Sequence, residues 1–240
     1  MKIAHVLPVN TNENRIKNIK DELMKHLNPG TKLDIITYDN GPNDLEYFYY
    51  DHWATDLMIK DKNKLNSYDA ISIACFYDPG VRVLRELLDI PVIGISQASV
   101  LFAQLYGHKY GILIGRDKSL SKMQDNMKLY GIGDKINWKS LDMTVKELQN
   151  NDDSNLLEVA KKLTEETIKE DKSEVIILGC GALSGLEKEL ASIFKIPVIN
   201  PIVAGAKLAE TLGSLKLTAE LTTSKLFDYE NDYLKESDFV

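Results

Sequence analysis

DAISIACFYDPG, residues 69–80, starts as a run of small and β-branched apolar residues and ends in an Asp-Pro-Gly turn, with a cysteine where the two meet. SEVIILGCGALSG, residues 173–185, repeats that plan. Together they hold the only two cysteines of the 240-residue chain, Cys75 and Cys180. A short run that is apolar at nearly every position reads as a strand covered on both faces, as in a parallel sheet. Each cysteine is therefore expected at the C-terminal end of a buried strand.

Working outward, the same kind of run recurs in KIAHVL (2–7), KLDIITY (32–38), IPVIGI (90–95), YGILIG (110–115) and IPVIN (196–200). Amphipathic stretches lie between them. Residues 14–27 place Ile16, Ile19, Leu23 and Leu27 on one helical face, and residues 154–170 do so with Leu156, Val159, Leu163 and Ile168. Alternating strands and helices imply βαβ units and an α/β fold. Residues 39–53 are rich in aromatics and read as the least regular part, and the tail 226–240 is acidic. The two cysteines are 105 residues apart, and Lys2 and Lys109, which open two of the strands, are 107 apart. Two similar lobes offset by this amount would explain the match. So would the ordinary recurrence of strand-helix-strand spacing.

After Cys75, Asp78 reads as an N-cap and Pro79 as the first helical residue. After Cys180, Ser184 and Glu187 have capping-box spacing. The carboxyl end of strands in an open α/β sheet is where ligands bind. Amide groups there favour anions and lower a thiol pKa from about 8.5 towards neutrality. A small apolar residue ending a buried strand accounts for either cysteine alone. The matched placement of both favours a shared chemical role.

Other signals exclude more than they assign. A net charge of -7 with no basic stripe argues against nucleic-acid binding. The N-terminal apolar run is broken by His5 and Pro8, and no stretch is long enough to span a membrane. Two distant cysteines without a secretion signal point to a reducing, cytoplasmic location. Gly179, Gly181 and Gly185 make only a loose dinucleotide pattern, since the next strand ends in Asn200 and not in an acid. GISQAS (94–99) departs from a serine elbow at Ala98. The four histidines show no ligand spacing, so no metal is expected.

Several segments, in order, carry a family resemblance. ACFYDPG (74–80), GPNDLE (41–46), IPVIGISQAS (90–99), LGCGAL (178–183), IPVINPIVAGAKLAE (196–210) and LTTSK (221–225) resemble the aspartate/glutamate/hydantoin racemase superfamily, in its hydantoin-racemase-like branch. That family often has Glu where Gln97 stands, and Asn-Pro-Asn-Thr where PVNTN (8–12) keeps only Asn10 and Thr11. The resemblance implies two pseudo-symmetric Rossmann-like lobes with the active site in the cleft between them. Lobe boundaries are expected at 1–98 plus 205–225 and at 99–204, leaving 226–240 as the tail. It also implies that Cys75 and Cys180 face each other across a small-molecule substrate, an amino acid or a 5-substituted hydantoin. Asn10, Thr11, Phe76, Tyr77, Asp78, Gly181 and Ala182 are the candidates to hold that substrate.

Elementary chemistry agrees with this reading. Racemisation needs a base on one face of a carbon and an acid on the other, and thiols titrate close enough to neutrality to take either part. No cofactor is required, and a homo-oligomer is expected. The same scaffold could instead run a decarboxylation or a cis-trans isomerisation, or bind a small carboxylate without chemistry.

Overall fold

The computed structural model describes residues 1–150, 153–235, 237 and 239. The chain divides into two compact units, Met1–Gly94 with Gly205–Val240, and Ile95–Ala204.

The first unit holds strands β1 (Lys2–Val6), β2 (Lys32–Ile36), β3 (Ala70–Ile73) and β4 (Val92–Gly94), with helices α1 (Glu13–Met24), α2 (Phe48–Lys60), α3 (Lys62–Leu65) and α4 (Val81–Leu87) between them. The second holds α5 (Ile95–Ala103), β5 (Tyr110–Ile114), α6 (Leu120–Leu129), β6 (Ile136–Ser140), α7 (Val145–Asn150), α8 (Asp153–Lys169), β7 (Val175–Leu178), α9 (Glu187–Phe194) and β8 (Val198–Ile199). Helix α10 (Pro201–Ala219) starts in the second unit and continues into the first.

The two sheets have one plan. Their strand orders are β2-β1-β3-β4 and β6-β5-β7-β8, and every pairing is parallel. Val6 stands beside Ile73 in one sheet and Leu113 beside Leu178 in the other. The equivalent residues of the two sheets, Val6 and Leu113, and Ile73 and Leu178, are 107 and 105 residues apart, the offsets seen in the sequence. In each sheet the chain winds outward in both directions from its first strand, so the order reverses between the first and third strands, the place that opens a ligand crevice.

The cores explain the apolar runs. In the first unit Ala4, Val6, Ile71 and Ile73 face Met58, Leu65, Val81 and Leu84 on one side of the sheet. In the second, Leu113, Ile176 and Leu178 pack with Leu156, Ala160 and Leu190. Helix α8 turns a slightly different stripe inward than its pattern suggests: Leu156, Ala160, Thr164 and Thr167 are buried, while Val159 and Leu163 are only partly so. The small threonines let α8 approach β5, where a Cβ at Gly111 would lie 2.7 Å from Thr167. Residues 48–53, read as irregular, form the first turns of α2. Among the described residues no helix is long and apolar enough to cross a membrane.

Candidate active site

Strand β3 ends at Ile73, and the Ala74 N–H donates to the Val6 carbonyl at 2.7 Å, the last bond of the ladder. The chain then turns. The Asp78 N–H donates back to the Cys75 carbonyl at 2.9 Å. Asp78 itself has φ 49, in the left-handed region, which is uncommon for a residue with a side chain. Its carboxyl lies against Gly94 at the end of β4, so close that a Cβ on Gly94 would sit 2.1 Å from the Asp78 Cγ. Gly80, at φ 66, completes the turn against Thr55 and Met58 of α2. Cys75 is a half-buried thiol, not in a disulfide, at the mouth of this turn.

This corrects the expected helix start. Helix α4 begins at Val81 with Gly80 as its cap residue and no side-chain capping bond. Asp78 and Pro79 are both buried in the turn before it. Phe76 and Tyr77 are also buried, at 2% and 5% exposure.

Asn10 and Thr11 lie in the turn after β1, the strand paired with β3, and so at the same sheet edge as Cys75. Asn10 is exposed and binds the neighbouring turn through both its amides. Its backbone N–H donates to the Pro42 carbonyl at 2.8 Å and its Nδ2 to the Asp39 carbonyl at 2.9 Å. Next to it, Asn12 caps α1 by accepting from the Arg15 N–H at 2.9 Å.

The second unit repeats the plan with different side chains. Strand β7 ends at Leu178, and the Gly179 N–H donates to the Leu113 carbonyl at 2.7 Å. Only glycine fits there, because a Cβ would lie 2.7 Å from that same oxygen. Cys180 follows in extended conformation, opening a 3-10 turn over Gly181–Leu183. Its Sγ accepts the Ala182 N–H at 3.5 Å, a contact that strengthens when the sulfur is a thiolate. Cys180, Gly181 and Ala182 are all half-buried.

The capping-box expectation is corrected as well. Helix α9 starts at Glu187, whose Oε2 accepts the Gly185 N–H at 2.7 Å. The Ser184 hydroxyl turns away and donates to Asn200 Oδ1 at 3.3 Å. That oxygen also accepts from the Ile202 and Val203 N–H groups at 3.0 and 3.3 Å, capping α10. Each cysteine turn is thus fastened to the end of the neighbouring fourth strand, by Asp78 on Gly94 in one unit and by Ser184 on Asn200 in the other.

Sequence reasoning assigned no role to Gly94 or Asn200. Asn200 was findable, since Asn followed by Pro201 is an N-cap followed by the first helical residue. Gly94 was not, because its close neighbour is sixteen residues away in the chain. The turn after β5, Gly115 to Ser119, also went unremarked. It lies at the same sheet edge as Cys180 and carries the half-buried Arg116. Among the described residues no group of three or more His, Cys, Asp or Glu side chains could hold a metal ion.

The family model for Asp/Glu/Hydantoin racemase matches residues 5–209. The chain belongs to that family. Its relatives include a hydantoin racemase of Pseudomonas sp. (strain NS671), 28% identical over 229 residues, covering 94% of this chain and 91% of that protein. Among solved structures, an allantoin racemase from Klebsiella pneumoniae matches with a TM-score of 0.87 at 25% identity, covering 98% of this chain and 95% of that one. An allantoin racemase from Pseudomonas fluorescens matches with a TM-score of 0.87 at 28% identity, covering 98% and 99%. The racemase family accounts for the paired α/β units and for the branch that the motif order suggested.

Proposed function

We propose that the protein is a cofactor-independent racemase of a 5-substituted hydantoin or a related amino-acid derivative, using Cys75 and Cys180 as its two proton-transfer groups. The observation that carries this reading is the matched placement of the thiols. Each stands two residues beyond the third strand of an identically ordered sheet, each follows one last ladder bond, and each is half-buried and outside any disulfide. The hydantoin and allantoin racemases among its relatives support the same class of substrate.

The chemistry balances without an outside reagent. A thiolate takes the proton from the carbon next to the carbonyl, and the C–H electron pair moves into the carbonyl system as an enolate. The other thiol gives a proton to the opposite face. The first sulfur ends as a thiol and the second as a thiolate, ready for the reverse direction. Backbone N–H groups in the turns would stabilise the transient enolate oxygen. A neutral ring suits the chain better than a dicarboxylate, because it has only four arginines and the Arg85 Nε is engaged by the Val92 carbonyl at 3.0 Å.

The test is NMR of substrate α-deuteration in D2O with the Cys75→Ser and Cys180→Ser variants. A serine hydroxyl is far too weak an acid to replace a thiol near neutrality. Each variant should lose racemisation by about 10²–10⁴-fold in both directions. Each should still exchange the α-proton of one enantiomer, with opposite preferences, because the surviving thiolate can remove and return a proton on its own face. Full racemisation by either variant would sink the two-thiol assignment.

A further inference from the structure

The segment after α10 makes a contact that neither the fold nor the reaction explains. Helix α4 is only seven residues long and has no side-chain cap at its start. So short a helix is not stable on its own. The Leu88 N–H closes its last i→i−4 bond, to the Leu84 carbonyl at 2.9 Å, and a helix leaves the carbonyls beyond that point without such donors. The Asp89 N–H, which would continue the ladder to Arg85, donates instead to Asn66 Oδ1 at 2.9 Å. The Arg85 and Glu86 carbonyls accept from far along the chain. Lys225 Nζ donates to the Arg85 and Glu86 carbonyls at 2.7 and 2.6 Å, and Asn231 Nδ2 donates to Glu86 at 2.8 Å.

Apolar burial does not hold this segment down. Leu221, Leu226, Phe227 and Tyr233 are 57%, 71%, 76% and 86% exposed, whereas Lys225 and Asn231 are half-buried. Polar bonds tie it to α4. A charge-assisted bond is worth roughly twice a neutral one, and Lys225 makes two. At the other end of the same two-turn helix, the Leu84 N–H donates to Gly80 at 2.8 Å and the Val81 N–H to Asp78 at 3.4 Å. Those are residues of the Cys75 turn.

We propose that residues 220–234 form a strap, and that Lys225 is a positioning residue that holds α4 from its far end and thereby fixes the Cys75 turn. The proposal rests on the reading of Cys75 as a proton-transfer group. Released from the strap, the helix end frays and the turn opens. Cys75 then meets outside reagents more readily but presents itself to the substrate less well. Cys180, in the other unit, is untouched.

The experiment uses the full-length chain with Lys225→Met, Lys225→Arg and Asn231→Ala. Two quantities are measured on each variant: hydantoin racemisation, and iodoacetamide labelling of each cysteine by peptide mapping. For Lys225→Met, kcat should fall about tenfold, equivalent to about 1.4 kcal/mol, with KM within about twofold. Labelling of Cys75 should quicken by at least about threefold while that of Cys180 holds its wild-type rate. Lys225→Arg should restore most of both. Asn231→Ala should shift both in the same direction by a smaller factor, and it decides the matter if Lys225→Met does not fold. Unchanged Cys75 labelling, or equal acceleration at both cysteines, would overturn the strap. If the wild-type protein turns over no hydantoin yet Cys75 labelling still depends on Lys225, the strap holds and the racemase reading falls.

Discussion

His5 sits in the middle of β1, fully buried, with its Nδ1 2.7 Å from the Ser72 hydroxyl on β3. Its Nε2 has no partner, and burial pushes its pKa down from 6.5 to about 3. The unfolded chain therefore binds this proton more readily than the folded one. Stability is intact above pH 6.5 and is lost as the pH falls from there towards 3. At pH 5 the loss from this one group is about 2 kcal/mol. His5→Gln should be less stable at neutral pH, yet lose about 2 kcal/mol less than wild type between pH 7 and pH 5 in urea titrations. Equal losses in the two proteins would remove His5 from the account. The strand position of His5 was legible in the sequence. Its burial against Ser72 was not, because that neighbour is 67 residues away and strand register leaves no local mark. The cysteines were legible for the opposite reason. With only two in the chain, their matching positions show without any partner being known.

At the scale of elements, the strands read well and the helix starts read poorly. A buried parallel strand declares itself by a continuous apolar run, which needs no knowledge of its neighbours. A helix start depends on which partner takes the capping side chain. Asp-Pro before α4 and Ser-x-x-Glu before α9 both have the local form of a cap, but Gly94 and Asn200 claim Asp78 and Ser184. Strand β6, INWKS, escaped notice because it is an edge strand with Ile136 its one buried residue. The Asp78–Gly94 contact has a measurable consequence. Gly94→Ala forces the Asp78 carboxyl aside and should cost about 1–3 kcal/mol. It should also lower kcat by about 10²-fold, since the Cys75 turn must move with it. Asp78→Gly removes both the obstructing carboxyl and the left-handed strain at φ 49. In denaturant titrations the double variant should therefore be at least about 1 kcal/mol more stable than the sum of the single changes. Simple additivity would show that the contact does not fasten the turn.

At the scale of the whole molecule, the repeat is the feature that sequence could suggest but not decide. Offsets of 105 and 107 residues fit both a duplication and the ordinary rhythm of α/β chains. The identical sheet orders and the matching bonds from Ala74 to Val6 and from Gly179 to Leu113 favour the duplication. The strap was not legible at all. Neither the LTTSK run nor the acidic tail behind it says that Lys225 and Asn231 find carbonyls 139 and 145 residues earlier. A duplicated plan with one thiol in each copy suits a reaction with two mirror faces, and such a reaction asks nothing of a metal. Extensive dialysis against EDTA should therefore leave kcat at its undialysed value, while iodoacetamide should abolish turnover and a bound substrate analogue should protect against it. Loss of activity on chelation, restored by adding a divalent cation, would assign the proton abstraction to a metal-activated group and not to the thiols.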